Sequence, residues 1–321
     1  FTVVSQSTDN EGTTTLAMRL NTNIEDCYMD FVYTLAADDY MVDMSIQPHN
    51  MQWALAQNMS SLEMQWNQLI PQQEKGRKFE EKYAQLQYMF VGGDIEKLSE
   101  MKADRAKESA RLKWIAYKDQ FFSTVLIAGD AFESTQMEST PQNALSRHIK
   151  EYKTTASLPF DITGKKNVDL KYYFGPNHYN TLKAYDKDVE KSERLHLNEL
   201  VPLGWKIVAW INKALVIPMF DLFSSWGLHI GIVILLMTLV IKLIILPFVF
   251  ASYKSSAKMR VLKPQLDEIN EKYPPEKMQE RQQATMALYQ KAGVSPMSGC
   301  LPMLFQFPVL MAMFWFLPTA I

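Results

Sequence analysis

The stretch LHIGIVILLMTLVIKLIILPFVFASY, Leu228 to Tyr253, decides how the rest of the chain is read. The hydrocarbon core of a bilayer, about 30 Å thick, takes about 20 apolar residues in helical form. This run exceeds that length, and His229 and Lys242 are its ionisable interruptions. Lys242 sits near the middle, where a lysine costs about 2.5 to 3.5 kcal/mol on insertion scales. At about 1.5 Å per residue the end of the run at Tyr253 is about 16 Å away, so a lysine stem that snorkels toward the surface covers less than half the distance. A polar cavity is the expected reason for the charge, with an ion pair to another helix as the rival reading. Thr238, four residues earlier, shares the same helix face and is expected to bond locally beside the cavity.

Working outward, the charges are unevenly spread. From Lys254 to Lys291 there are eight Lys or Arg against five Asp or Glu, whereas acidic residues are in excess in the rest of the chain. The positive-inside rule therefore puts residues 254–296 in the cytoplasm and, across one span at 227–253, residues 1–196 outside it. The chain begins at Phe1 with no signal sequence and ends at Ile321 inside an apolar run, from which we expect an internal portion of a longer protein, missing an N-terminal targeting or anchoring helix and a continuation after Ile321. Cys27 and Cys300 fall on opposite sides of the span, and no disulfide framework or CxxC metal site is expected. A net charge of -2 gives no sign of binding to DNA.

Residues 1–50 read as β structure: FTVVSQS, a turn at Asp9-Asn10-Glu11-Gly12, TTTLAMRLN, then CYMDFVYTLAADDYMVDMSIQP, with partial alternation and many β-branched and aromatic residues. PQQEKGRKFEEK reads as a charged surface loop, and KYAQLQYMFVGG as a strand closed by Gly92-Gly93. Asp94 to Lys113 carries charge without an apolar face and reads as a solvated excursion or short helix that builds no core. WIAYKDQFFSTVLIAGDAFESTQ is expected to form a strand pair, and VDLKYYFGPNHYNTLKAYD a strand, a Gly-Pro turn and a helix start.

Residues 197–226 carry tryptophans, lysines and aliphatics at helical spacing, with Trp205, Val208, Ile211 and Leu215 along one side. This is the pattern of an amphipathic helix lying in the membrane interface, with Trp205 and Trp210 as its anchors; a helix packed on the β domain is the alternative. After Tyr253, helix formers flank Tyr273-Pro274-Pro275, and a proline pair stops a helix. Residues 254–296 are thus expected to form a helical hairpin, its seam made by Met259, Leu262, Leu266 and Ile269 against Met278, Met286 and Tyr289, ending at Gly293 and Pro296. Residues 297–321 read as a second membrane span with Pro302, Pro308 and Pro318 as kinks and Gln306 as its polar side chain.

Gln306 either bonds between helices or lines the same cavity as Lys242. Lys254, Lys258, Arg260 and Lys263 are either a solvated cytoplasmic face or a docking arm for anionic lipid headgroups or an RNA-rich partner, with the hairpin methionines adapting to apolar segments. The histidines have no metal-ligand spacing, and GxSxG, Walker and GxGxxG motifs are absent. Neither catalysis, a cofactor nor a metal is expected.

TLVIKLIILPF followed by YKSSAKMRVLKPQL, then MALYQKAGVSPMSGCLPMLFQFPVLMAMFW, closely resembles the YidC membrane protein insertases, relatives of the Oxa and Alb proteins. The resemblance covers Trp205 to Ile321; more weakly, WIAYKDQFFSTVLI and YYFGPNHYNTLKAYD resemble the large periplasmic domain of Gram-negative members, an all-β supersandwich. It implies a multi-pass protein of the bacterial inner membrane whose helices form a hydrophilic groove that takes the polar segment of a nascent membrane protein partway in. The family's groove cation falls on Lys242, with Thr238 and Gln306 on its lining. Many members carry arginine where this chain has lysine, which keeps the charge but loses the fork of donors. The resemblance implies as partners nascent membrane proteins, lipids, the Sec translocon and the ribosome or signal-recognition machinery, and it implies a chain short of the N-terminal anchor and the last three spans. An anion-binding transporter or channel, and a membrane-tethered periplasmic scaffold or carbohydrate-binding module, are the competing functions.

Overall fold

Runs of β-branched and aromatic residues separated by turn residues make a β structure of the first 201 residues, and the long apolar runs after them make helices. The computed structural model describes residues 1–273, 277–293 and 301–320. It divides into two units, Phe1–Val201 and Pro202–Thr319.

In the first unit the chain forms β1 (Thr2–Thr8), β2 (Thr14–Asn21), β3 (Tyr28–Leu35), β4 (Met41–His49), β5 (Ser61–Pro71), helix α1 (Arg77–Tyr83), β6 (Gln85–Phe90), β7 (Ile95–Lys97), β8 (Asp104–Glu108), β9 (Leu112–Lys118), β10 (Phe122–Phe132), β11 (Ser134–Pro141), β12 (His148–Pro159), β13 (Val168–Pro176) and α2 (Tyr179–Ala184). A nine-stranded sheet, in the order β1-β2-β3-β4-β13-β10-β9-β6-β7, faces a four-stranded sheet, β5-β12-β11-β8. This is the expected β supersandwich. The turn at Asp9 forms as read: its carboxylate accepts from the Glu11 and Thr13 N–H groups, each at 2.9 Å, and Gly12 supplies a φ of 86°, a region glycine enters without strain. β9 and β10 pair antiparallel, as do β10 and β13.

Leu86, Ile115 and Leu126 from one sheet and Met137, Ile149 and Tyr152 from the other form the core between the layers. Burying a side chain of this size contributes about 1.5 to 3 kcal/mol. Trp66 stacks on Tyr117 at 3.7 Å, and the Tyr117 hydroxyl donates to Trp66 O at 2.8 Å, tying β9 to β5 across the sandwich.

Two sequence expectations for this unit are corrected. The segment read as a charged loop contains α1, because its charges are used inward. The buried Glu80 carboxylate accepts from the Gln73 and Glu74 N–H groups, and Arg77 donates to the Ser146, Gln142 and His148 carbonyls. Asp94 to Lys113, read as coreless, holds β7, β8 and the start of β9, with Leu98 and Leu112 buried. β7 and β8 are edge strands of the two sheets, and charge on an edge protects it from pairing with other chains; that charge hid the alternation.

The second unit contains α3 (Lys206–Ile211), a π-helical turn at Asn212–Val216 and α4 (Ile217–Ser224), which form one helix over Lys206–Ser224. It continues with α5 (Ile230–Val261), α6 (Lys263–Lys272), α7 (Met278–Lys291) and α8 (Leu301–Ala320). The helix expected over 197–226 starts only at Lys206, since Leu197–Leu200 is a separate 3-10 turn and Gly204, at φ 82°, turns the chain. The expected stripe is corrected as well. Trp205 precedes the helix and is exposed, whereas Val208, Asn212 and Val216 are fully buried. A π turn holds more residues than an α turn, so the buried face repeats every four residues through Phe220.

α5 runs unbroken past Tyr253 to Val261, so residues 254–261, expected in the hairpin, prolong the span instead. The His229 side chain caps its start by accepting from the Gly231 N–H at 3.2 Å. α6 and α7 form the hairpin. Leu262, Leu266 and Ile269 on its first arm and Tyr289 on its second are half-buried, as expected, but Met259 lies on α5 and Met278 and Met286 are exposed; Ala284 and Leu288 are half-buried in their place. Gly293 ends α7 at φ 60°. Pro274, Pro275, Pro296 and Cys300, and the side chain of Pro302, lie outside the described residues. By length and composition Lys206–Ser224 and Ile230–Val261 each suffice to cross a membrane, and Gln306–Pro318 is a shorter apolar helix.

Candidate functional site

Within α5, Thr238, Ile241, Lys242 and Ile245 follow the i, i+3, i+4, i+7 spacing of one helix face. Within α8, Gln306, Leu310, Met313 and Leu317 do the same. The two faces border one cavity of 390 Å³. Sequence reasoning put Thr238 on the face of Lys242 and left Gln306 between a helix-to-helix bond and the same cavity; all three border the cavity. It missed the apolar walls, although their helical spacing was there to be read.

Ile241 and Ile245 are buried and form the floor on the α5 side. Lys242 is exposed, about 18 Å along the helix from Ile230 at about 1.5 Å per residue. Its surroundings are apolar: Leu235, Leu239, Leu243 and Leu246 on α5 are at least half exposed, as are Leu310 and Phe314 on α8. A contiguous exposed apolar surface of this kind belongs against lipid or protein. Among the described residues Lys242 makes no hydrogen bond or ion pair. Thr238 donates from Oγ1 to the Ile234 carbonyl at 2.8 Å, a local bond that satisfies its hydroxyl and leaves the cavity's positive charge to Lys242. Gln306 is half-buried on the opposite wall.

The remaining singled-out residues lie apart from the cavity. Lys254, Lys258 and Arg260 are exposed on the last turns of α5, and Lys263 is exposed at the first residue of α6. Trp205, just before the Lys206–Ser224 helix, and Trp210, on its side opposite the buried stripe, are exposed to 51% and 68%. α4 and α8 touch through Phe220 and Phe316, whose rings meet edge to face at 5.3 Å. Among the described residues no group of three or more His, Cys, Asp or Glu side chains is placed to hold a metal.

Comparison with known proteins bears on both units. Residues 1–218 match the family described as YidC periplasmic domain, and residues 221–321 match the family described as 60Kd inner membrane protein. A membrane protein insertase YidC of Parabacteroides distasonis is 52% identical over 95% of this chain and 48% of its own length. Its namesakes from Azobacteroides pseudotrichonymphae and Bacteroides fragilis are 49% and 48% identical, over 95% and 92% of this chain and 50% and 47% of theirs. The chain spans about half the length of the curated relatives it matches. On these grounds the chain belongs to the YidC family, as a bacterial inner-membrane protein with a periplasmic β domain.

Proposed function

We propose that this chain supplies part of a membrane protein insertase, and that Lys242, Thr238 and Gln306 line the groove through which a nascent inner-membrane protein passes. The observation that carries this is Lys242 itself: a mid-span cation facing a cavity between two apolar helices, with no partner among the described residues. A charge in such low-dielectric surroundings attracts an acidic side chain far more strongly than it would in water. It thereby lowers the barrier to drawing a polar segment partway across the bilayer, while the exposed leucines beside it let apolar segments leave sideways into lipid. Attraction and release by partitioning need no nucleotide and no covalent step, so we read the chain as a chaperone and not an enzyme.

In the same reading Lys254, Lys258, Arg260 and Lys263 dock anionic lipid headgroups or the ribosome and signal-recognition machinery on the cytoplasmic side. Trp205 and Trp210 hold the Lys206–Ser224 helix at the interface, and the Sec translocon is a further partner. The test is insertion of acidic-tailed substrates by the full-length protein carrying Lys242→Glu. Loss of insertion with Lys242→Arg active is the expected result; unchanged insertion of every dependent substrate would refute the electrostatic step. Anion flux through the purified protein, abolished by Lys242→Ala, would favour a transporter instead.

A further inference from the structure

The β unit closes its two ends differently. At one end β7 and β8 are the last strands of their sheets, and the Tyr88 hydroxyl lies 3.1 Å from both Glu96 on β7 and Glu108 on β8. Their sequences, IEK and DRAKE, are mostly charged, and an edge so charged resists pairing with further strands. At the other end the last strands are β1 and β5. β1, TVVSQST, carries no charge, and β5, SLEMQWNQLIP, carries one in 11 residues, Glu63. Among the described residues each pairs with a single neighbour, β2 and β12, so each leaves a row of backbone donors and acceptors open. The register shift between Val3 and Ser5 and Pro71 at the end of β5 interrupt these rows only locally.

The two sheets also differ in width, and the excess lies at this open end. Strand register carries the core rows outward. Ile46 on β4 belongs to the core, and its successive partners are Phe31, Met18 and Val3 on β3, β2 and β1. The neighbouring row on the same face runs from Met44 through Tyr33 and Leu16 to Gln6. The opposite face is more polar, with Arg19 paired to Asp30 at 2.7 Å. The overhang formed by β1, β2 and β3 thus has the apolar and polar sides of a sheet that packs one face against a second layer. Its apolar face is incompletely covered: no side chain of the three strands is buried, and all seven of β1 are exposed. Contiguous apolar surface of this kind marks a contact.

We propose that the sandwich continues beyond β1 and β5 with strands from the part of the longer family polypeptide that this chain does not span. The added strands pair with the two open edges, and those beside β5 cover the apolar face of β1, β2 and β3. The overhang leaves room in the smaller sheet for about three strands, about 14 Å at about 4.8 Å each. The relatives compared above have about as much polypeptide again as this chain spans. In one molecule such a segment has an effective concentration that a separate partner does not reach. A second copy of this chain fits the geometry poorly. Joining two copies symmetrically through β1 leaves their β5 edges about six strand widths apart, about 29 Å, with both apolar faces still open. A bilayer offers no hydrogen-bond partner to the open edges. The proposal rests on the family assignment and is independent of the groove reading.

The test is cysteine accessibility in this chain and in the full-length protein, both held in lipid nanodiscs. Val3→Cys and Leu35→Cys, the latter two residues beyond Tyr33 on the same face of β3, replace side chains exposed to 63% and 39%. Leu145→Cys, at a position exposed to 94%, is the reference. Labelling by a maleimide is read by peptide mass spectrometry, so Cys27 and Cys300 stay in place. Both overhang variants are expected to label readily in this chain and at least tenfold more slowly in the full-length protein, with the reference unchanged. Amide hydrogen exchange of β1 and β5 in the unaltered proteins, which needs no substitution, should likewise be at least tenfold slower in the full-length form. Equal labelling or equal exchange in the two forms overturns the proposal. So does protection that grows with protein concentration, the mark of a second copy, or protection lost on transfer to detergent, the mark of lipid.

Discussion

Three lysines sit in apolar surroundings, and the two units treat them differently. In the β unit Lys118 and Lys150 are buried to 2% and 1% exposure. Each donates to backbone carbonyls: Lys118 to Tyr83 at 3.0 Å, and Lys150 to Ala84 and to Glu100, the latter at 2.7 Å. Tyr83 and Ala84 end α1, so both ammonium groups cap a helix C-terminus, where a positive charge is favoured. In the helical unit Lys242 is exposed, and no carbonyl or carboxylate among the described residues engages it. Burial alone therefore does not say how a lysine is used. The hydrogen-bond ledger does: the buried lysines are committed to the fold, and the exposed one is kept available.

The contrast is most directly broken at Lys242. In the full-length protein Lys242→Glu is expected to lower insertion of dependent substrates more than tenfold in a protease-protection assay, with Lys242→Arg within about twofold of the native protein. Comparable activity of both variants would mean that the charge is as structural as Lys150. The reciprocal test is Lys150→Met, which leaves the Ala84 and Glu100 carbonyls without their donor and should destabilise the β unit by about 2 kcal/mol in urea unfolding, with no effect on insertion beyond that caused by lost protein.

A smaller effect follows from pH. Burial lowers the pKa of both Lys118 and Lys150 to about 8, against an ordinary 10.5. Between these values the unfolded chain binds more protons than the folded one, so stability rises as pH increases above about 8. Burial has the opposite consequence for Tyr117, Tyr152 and Tyr173, whose pKa values are raised above the ordinary 10.0. Above about pH 10 the unfolded chain sheds those protons first, and stability falls. Unfolding of the β unit followed across pH should show a maximum between about 8 and 10, and the rising limb should flatten when both lysines are methionine. The smallest effects belong to the helical unit. Thr238→Val, which removes a hydroxyl already bonded to its own helix, should lower insertion less than threefold. Leu288→Ala should loosen the hairpin by about 1 kcal/mol, whereas Met278→Ala should change it by less than about 0.5 kcal/mol, as read from hydrogen exchange of α6 and α7.

Much of this was legible in the sequence where one periodicity ruled. The apolar run around Lys242, the strands at the N-terminus and the β9–β10 pair each have a pattern set by local burial. The recess was legible too, because a lysine, a threonine one turn away and a glutamine are conspicuous in apolar helices. What escaped was whatever depended on partners far along the chain. Nothing local shows that the charges from Asp94 onward lie on sheet edges, that Glu80 turns inward to hold Gln73 and Glu74, or that β12 pairs with β5. The face of the Lys206–Ser224 helix was misread for a related reason: a π turn shifts the register by one residue, and the Asn212 side chain at that turn donates to the Leu203 carbonyl at 3.0 Å, a bond made outside the helix. The cross-strand row of Thr34, Asp43, Lys171, Ile127, Trp114 and Met89 exists only once six strands are in register.

The unbroken course of α5 also has a mechanical consequence. Its 32 residues make a rod about 48 Å long at about 1.5 Å per residue, well over the thickness of a hydrocarbon core, with Lys242 near the middle and the basic residues at one end. A force applied to Lys254, Lys258 or Arg260 therefore acts on Lys242 as through a lever. The soft joint on that lever is Pro247, which removes the backbone donor to the Leu243 carbonyl, immediately after Lys242. A load on the basic end would therefore be felt first at that joint, one turn beyond Lys242.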